Sequence, residues 1–167
     1  LNPTFSQGYN IEISFANLHD TSIMLARHFA DKHFIHDTAI VDKKGKAEFT
    51  GDENLAGGLY SVILPEKSLF DLLLADDQQF TAALDTSDVI KSMKIKGCLE
   101  NELFYESQKY LVSQREIYED LQKKLDDEAT PQEEKDKIQE HMDQIDKKLS
   151  HSWKKIVEEH PETFYAT

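Results

Sequence analysis

The chain has 167 residues, enough to bury a hydrophobic core without disulfides or metal ions as extra crosslinks. Its net charge of −13 opposes the approach of phosphate groups, which argues against nucleic acid and anionic membrane surfaces as partners. The single cysteine, Cys98, excludes an internal disulfide or a CxxC motif within these residues, and no apolar run is long enough to form a transmembrane segment.

Residues 1–97 show the short alternating patterns of β-strands. Tyr9, Ile11, Ile13 and Phe15 alternate with polar residues, as in a strand with one buried face. The residues Asp42-Lys43-Lys44-Gly45 predict a hairpin turn, because glycine tolerates the left-handed conformation that short turns require. The runs 57–64 and 69–75 are continuously apolar and predict central strands covered on both faces. Further strands are predicted at 22–27, 34–41, 46–50, 79–84 and 93–96, with one helical turn at 86–91. This spacing predicts an antiparallel β-sandwich or an open barrel.

Gly97 marks a change of pattern, because all six glycines lie at or before it. Residues 98–160 then repeat apolar side chains at spacings of three and four, which predicts two long helices. The segment Thr130-Pro131-Gln132-Glu133 has the pattern of a capping box at the start of the second helix. We expect an α+β fold in which the β-rich domain is followed by a long antiparallel helical hairpin.

Three groups of polar residues invite a chemical hypothesis. His28, His33 and His36 are close in sequence, but their spacing does not place all three on one face of a strand, so solvated histidines are the favoured interpretation over a metal site. The acidic residues of 76–88 lack the glycine and alternation of a calcium loop; they are Asp76, Asp77, Asp85 and Asp88. The position of Cys98 is typical of a small residue at the start of a helix. The sequence therefore nominates no catalytic residue, no metal ligand and no cofactor.

The aromatic residues of the helices form the candidate interaction surface. Helical spacing favours a role in the core of the hairpin, and the alternatives are a ligand platform or a groove for a partner. A homodimer through the helices is a further expectation. The residues concerned are Tyr105, Tyr110, Tyr118 and Trp153.

Several stretches together resemble one family. They are Gly8-Tyr9-Asn10-Ile11, Asp37-Thr38-Ala39 followed by Asp42 to Gly45 and Phe49, then Gly57-Gly58-Leu59-Tyr60 through Leu64-Pro65, and Lys96-Gly97 before Glu100 to Phe104. This pattern resembles the N-terminal region of Bacteroidetes-type envelope proteins of the thioredoxin-like, thiol-disulfide oxidoreductase family. In that family a β-rich domain of unknown function and a helical segment precede the thioredoxin fold.

The resemblance implies a non-catalytic accessory module that positions a C-terminal thioredoxin-like domain or recruits partners for it. Residues 161–167 would then begin the following segment, and the chain itself would not be an enzyme, because the family's CxxC is missing from it. The resemblance also implies a periplasmic or envelope-anchored protein. The chain starts without an initiator Met, which is typical of a mature or trimmed chain from which an export signal could have been removed. The alternative is a free-standing envelope module that binds a peptide or a glycan.

Overall fold

A computed structural model describes residues 8–29 and 32–160, without the side chains of residues 28, 29, 32, 33, 152, 153, 156 and 157. The fold is α+β, as predicted. It consists of two four-stranded sheets in a sandwich that is not closed into a barrel, followed by a hairpin of two long helices. The chain divides into two compact units, residues 1–105 and 106–167.

The strands lie close to the predicted positions, and their alternating burial explains why. In β1, Ile11 and Ile13 are fully buried, while Glu12 between them is exposed. A 3-10 turn occupies Pro65–Lys67. The remaining elements follow in chain order: β1 (Tyr9–Phe15), β2 (Thr21–Phe29), β3 (Lys32–Val41), β4 (Lys46–Gly51), β5 (Gly58–Ile63), β6 (Leu69–Leu74), β7 (Gln79–Leu84), α1 (Val89–Ser92), β8 (Lys94–Lys96), α2 (Leu99–Asp126) and α3 (Gln132–Glu159).

The first sheet has the strand order β4-β1-β7-β8, and the second sheet has the order β3-β2-β5-β6. Neighbouring strands are antiparallel, except that β1 and β7 run parallel. Apolar side chains from both sheets form one core, including Ile11, Phe49, Leu25, Tyr60 and Leu72. Burial of these side chains is the main stabilising contribution of the sandwich, at about 1.5–3 kcal/mol for each large side chain before the entropy cost.

The positions of β4 and β6 in the sheets differ from what their sequences suggest. β3 and β4 are joined by the predicted turn, but they belong to different sheets, because β4 pairs with β1. β5 is a central strand as predicted, whereas the prediction was wrong for β6, which is the outer strand of the second sheet. The backbone edge of β6 is covered by side chains from the start of α2.

The edge of β6 is paired by the side chain of Asn101. The Leu73 amide donates to Asn101 Oδ1 at 2.8 Å, and Asn101 Nδ2 donates to the Leu73 carbonyl at 2.7 Å. One turn further along α2, the Tyr105 hydroxyl donates to the Asp71 carbonyl at 2.7 Å. Asn101 is fully buried and therefore takes the place of a neighbouring strand at this edge. Asn101 and Tyr105 both belong to the first compact unit, which extends into α2 as far as Tyr105.

Gln78 makes a similar contact elsewhere in the sandwich. Its Oε1 accepts from the Leu55 amide at 2.7 Å, and its Nε2 donates to the carbonyls of Leu55 and Ala75, each at 2.8 Å. Gln78 is also buried, so its amide satisfies loop groups that water does not reach. Two buried amide side chains therefore complete backbone hydrogen bonding in this sandwich, Asn101 at the edge of β6 and Gln78 in the loops.

The predicted apolar stripe is buried in α3, whereas the buried side chains of α2 lie at its start: Glu100, Asn101 and Tyr105. α3 buries Ile138, Met142 and Ile145, which lie at spacings of four and three. The turn between the helices differs from the predicted capping box, because the Thr130 hydroxyl donates to the Lys124 carbonyl at 2.8 Å and so binds the last turns of α2. No helix in the described part of the chain is both long and apolar enough to cross a bilayer.

Replacing Asn101 with alanine leaves two backbone groups of the partly buried Leu73 without their partner. Because an unsatisfied buried group costs about 1–3 kcal/mol, we expect Asn101→Ala to lower the free energy of unfolding by about 2–4 kcal/mol. Urea denaturation followed by circular dichroism measures this change. Glu106→Ala, at an exposed position on the same helix, is the control and is expected to change stability by less than about 0.5 kcal/mol. Equal stability of the two variants would contradict the proposed role of Asn101.

Candidate functional site

The most exposed large apolar side chains of the described residues lie on β3. Phe34, Ile35 and Ile40 are 55%, 60% and 69% exposed. β3 is also the outer strand of the second sheet. We call these three side chains the β3 surface; Phe34 lies opposite Arg27 and therefore faces the other side of the sheet from Ile35. Clustered exposed apolar side chains on an edge strand are a recognised feature of protein interaction sites.

A β-bulge brings two of these side chains to the same face. Leu25 is paired with Asp37 and Ala26 with Ile35, so His36 is the extra residue of β3. Ile35 and Ile40 are an odd number of residues apart and would face opposite sides of a regular strand. With the bulge they lie opposite Ala26 and Ser22, which share the outer face of β2. Ile35 and Ile40 therefore share the outer face of the second sheet.

On this outer face of the second sheet, the exposed apolar side chains lie at the margins of the sheet. Ala26 and Ser61, at the centre of the sheet, are fully buried, and Met24 and Ile63 are partly buried. Leu59 and Leu69 are exposed to 36% and 43%, less than the two isoleucines of β3. The apolar surface that remains accessible is thus concentrated at the β3 edge.

The bulge is held against the core by Tyr9. The Tyr9 hydroxyl donates to Asp37 Oδ2 at 3.0 Å, and Asp37 Oδ1 accepts from the Thr38 amide at 2.7 Å. The His36 ring lies edge-on to the Tyr9 ring, with 5.9 Å between centroids. Gly51 gives the Tyr9 ring its space, because a Cβ at this position would lie 2.3 Å from Tyr9 Cε1. Contacts from β1 and β4 therefore fix the position of the bulge.

The turn after β3 is tied down in a similar way. The Asp42 carboxylate accepts from the backbone amides of Lys44 and Lys46 at 2.7 and 2.8 Å. These backbone hydrogen bonds, that from Lys46 foremost, hold the pKa of the Asp42 carboxyl below its usual range. Gly45 has a φ of +76°, and its carbonyl accepts from the Phe15 amide at 2.7 Å. The turn thus carries the chain in a defined conformation from the second sheet to the first.

A groove with a cavity volume of about 480 Å³ lies beside this turn and includes Ile40 of the β3 surface. We call it the corner groove. Its other lining residues come from β1, β4 and the turn: Glu12, Ile13, Ser14, Asp42, Lys46, Ala47 and Glu48. The groove therefore combines one strongly exposed isoleucine with a mostly polar wall.

The charges of the corner groove are unbalanced. Glu12 and Glu48 are directly opposite each other in the β1–β4 pair, and Asp42 lines the same groove, whereas Lys46 is the basic residue of the lining. Like charges directly opposite on paired strands repel each other. Glu48 is held in place, since its Oε1 accepts from Asn10 Nδ2 at 2.9 Å. The groove is thus suited to a positively charged group.

The aromatic residues predicted as an interaction surface lie in different environments. Tyr105 is 4% exposed and belongs to the core of the first unit, and burial raises its pKa. Tyr110 is partly buried, and Tyr118 is 37% exposed. The side chain of Trp153 lies outside the described residues. The prediction of a helical interaction surface therefore concerns Tyr110, Tyr118 and Trp153.

The histidines and aspartates that were considered as metal ligands lie in three parts of the structure. The backbones of His28 and His33 pair across β2 and β3, although their side chains lie outside the described part. Asp85 accepts from Asn17 Nδ2 and from the Ser87 amide, and Asp88 accepts from the Lys91 amide at the start of α1. Residues 8–29 and 32–160, so far as they are described, contain no group of three or more His, Cys, Asp or Glu able to hold a metal ion.

Cys98 is fully buried directly before α2. Asn101 Nδ2 donates to its Sγ at 3.1 Å. Burial raises the pKa of the thiol, so the reactive thiolate is disfavoured. This environment is that of a structural cysteine.

The sequence interpretation missed the β3 surface and the corner groove. Phe34, Ile35 and Ile40 look like core residues of a strand, and only the bulge at His36 reveals which of them share a face. Two adjacent polar residues, His36 and Asp37, were the available signal, because they interrupt the alternation of β3. Glu12 and Glu48 become neighbours only through the β1–β4 pairing.

Comparison with known proteins finds no matching family model, no matching curated protein and no matching solved structure.

The Tyr9–Asp37 contact gives a testable pH dependence. Burial first, and then the hydrogen bond to Asp37, raises the pKa of Tyr9 to about 12. The unfolded chain has a tyrosine pKa of about 10, so this stabilisation is complete below pH 10 and is lost as the pH rises through about 12. We expect the free energy of unfolding to fall more steeply between pH 10 and 12 in the wild type than in Tyr9→Phe. Tyr118→Phe, at an exposed position, should retain the wild-type slope, and identical slopes for all three proteins would refute the assignment.

Proposed function

We propose that this chain is a non-catalytic interaction module of an exported thioredoxin-like thiol-disulfide oxidoreductase. We propose further that it uses the β3 surface to position the redox domain of that protein or to recruit partners for it. The observation that carries the proposal is the exposure of Phe34, Ile35 and Ile40 on one edge strand. Exposed side chains of this size lose contact with water when a partner covers them, which favours binding by about 25 cal/mol for each Å² of apolar surface buried.

The resemblance noted in the sequence supplies the partner class. It implies a β-rich domain and a helical segment before a thioredoxin fold, and the described α+β fold agrees with that order. The buried Cys98, with its raised pKa, favours a structural role for this cysteine, which supports the proposal that this chain is non-catalytic. A periplasmic or envelope location is part of the same proposal.

A second candidate function is a free-standing envelope module that binds a peptide or a glycan. The corner groove favours it, because the groove offers both Ile40 and oriented carboxylates to a ligand. Homodimerisation through the helices is a separate proposal, and Ile117 and Tyr118, which are 41% and 37% exposed, are its available side chains on α2.

The first experiment reads the gene downstream of the codon for Thr167. A CxxC motif within the following domain length, on the order of 150 residues, supports the proposal. A stop codon directly after Thr167 overturns it and leaves the free-standing module.

The second experiment tests the surface. We expect the double variant Ile35→Ser/Ile40→Ser to weaken binding of the separately expressed downstream domain by about tenfold or more in isothermal titration calorimetry, because apolar contact area is lost. Both positions are more than half exposed, so the variant should fold normally.

Ile117→Ser on α2 is the matched control for that experiment, since it removes an exposed isoleucine of the other compact unit. It should bind like the wild type. If it weakens binding while the β3 variant does not, the helices are the interaction surface and the β3 assignment is wrong. Analytical ultracentrifugation of the same variant also tests the helical homodimer.

A further inference from the structure

We infer that the segment bound at the β3 surface and the corner groove is an extended polypeptide with apolar residues at every second position, followed on the same face by lysine or arginine. This inference rests on the proposed interaction function and specifies the chemistry of the partner. It depends on three independent properties of the site, namely its apolar side chains, its position at a sheet edge and its charge.

The apolar part of the partner follows from Ile35 and Ile40. The bulge places both on the outer face, with Thr38 on the same face between them. An extended segment lying along β3 presents every second side chain to one face, which matches this row. Since β3 is the outer strand of its sheet, such a segment can also form backbone hydrogen bonds with it, as in recognition by strand addition.

The basic part of the partner follows from the corner groove. Glu12, Asp42 and Glu48 outnumber Lys46 there, and Glu12 and Glu48 face each other across paired strands. A cationic group between these two carboxylates would replace their repulsion by attraction. Asp42 and Glu48 are already oriented by hydrogen bonds from the backbone and from Asn10, so little side-chain entropy would be lost on binding.

The cation is more suitably a side chain than a metal ion. The described residues offer no cluster with the ligands for a metal. Lysine and arginine carry a long aliphatic stem below their charge, and Ile40 at the groove wall is 69% exposed and can contact that stem. A nucleic acid or an acidic peptide would meet carboxylates at the same place and be repelled.

The test uses three short synthetic peptides and the whole chain. In the first, valines at every second position are followed by lysines at every second position, with serine between them; glutamate replaces lysine in the second, and serine replaces valine in the third. We expect the valine–lysine peptide to bind most tightly in fluorescence anisotropy, with an affinity that falls as salt increases. Its amide shift changes in nuclear magnetic resonance spectra should map to β3 and β4.

The variant Glu12→Gln/Glu48→Gln should weaken the valine–lysine peptide about tenfold or more. The matched control is Glu134→Gln/Glu140→Gln, which removes the same charge from exposed positions of α3 and should leave binding unchanged. Ile35→Ser/Ile40→Ser should weaken the valine–lysine peptide and leave the serine–lysine peptide unaffected.

The outcomes separate this inference from the proposed function. Equal losses in the two glutamate variants would mean that only the overall negative charge attracts the peptide, and they would overturn the inference. Equal binding of the valine–glutamate peptide would overturn it as well. If no peptide binds while the downstream domain still binds through Ile35 and Ile40, the partner is a folded surface; the inference then fails and the proposed function stands.

Discussion

The hydrogen bonds between Asn101 and Leu73 decide which edge of the second sheet is available. A four-stranded sheet has two outer strands, and each has backbone N–H and C=O groups that no neighbouring strand pairs. At β6 these groups are met by Asn101 and Tyr105 from the start of α2. At β3 the sheet ends in exposed apolar side chains. The two outer strands therefore differ: side chains of α2 bind the backbone of β6, whereas β3 carries exposed apolar side chains.

The same contact links the helix to the core of the first unit. Asn101 is fully buried and also donates to Cys98 Sγ, so the first turn of α2 is fixed by polar contacts as well as by packing. A buried amide with both of its groups paired is specific in position, because a shift of the helix by one residue would leave it unsatisfied. The apolar stripe of α2 could tolerate such a shift more readily. Asn101 thus sets the register of the helix on the sandwich.

Much of the fold follows from local pattern alone. Tyr9–Phe15 alternates strictly, and β1 has those bounds; the glycine-free region after Gly97 contains the two long helices. The pairing of strands is less accessible to such reasoning. β3 and β4 follow each other across a tight turn, yet β4 pairs with β1, because pairing is decided by the packing of the two sheets and not by proximity along the chain. The apolar run of β6 was interpreted as a central strand, because a side-chain amide that covers an edge leaves no periodic signal.

The candidate site could be predicted even less well from the sequence pattern. A period-two pattern assigns Ile35 and Ile40 to opposite faces, and a single extra residue at His36 reverses that assignment for one of them. The bulge is held by Tyr9, which is distant in sequence, and by the space that Gly51 leaves for its ring. Long-range contacts therefore create the surface, while the residues of β3 supply only its chemistry.

The position of the turn after β3 connects this surface to the charged groove. Because Asp42 is bonded to the amides of Lys44 and Lys46, and Gly45 is bonded to Phe15, the chain leaves the second sheet and enters the first beside β1. That crossing brings Glu48 opposite Glu12 and leaves Ile40 at the rim of the groove. If β4 had continued as the neighbour of β3 in one sheet, the carboxylate pair would not form. The repulsion between Glu12 and Glu48 is thus a cost of the crossing, and it is a cost that a cationic partner would remove.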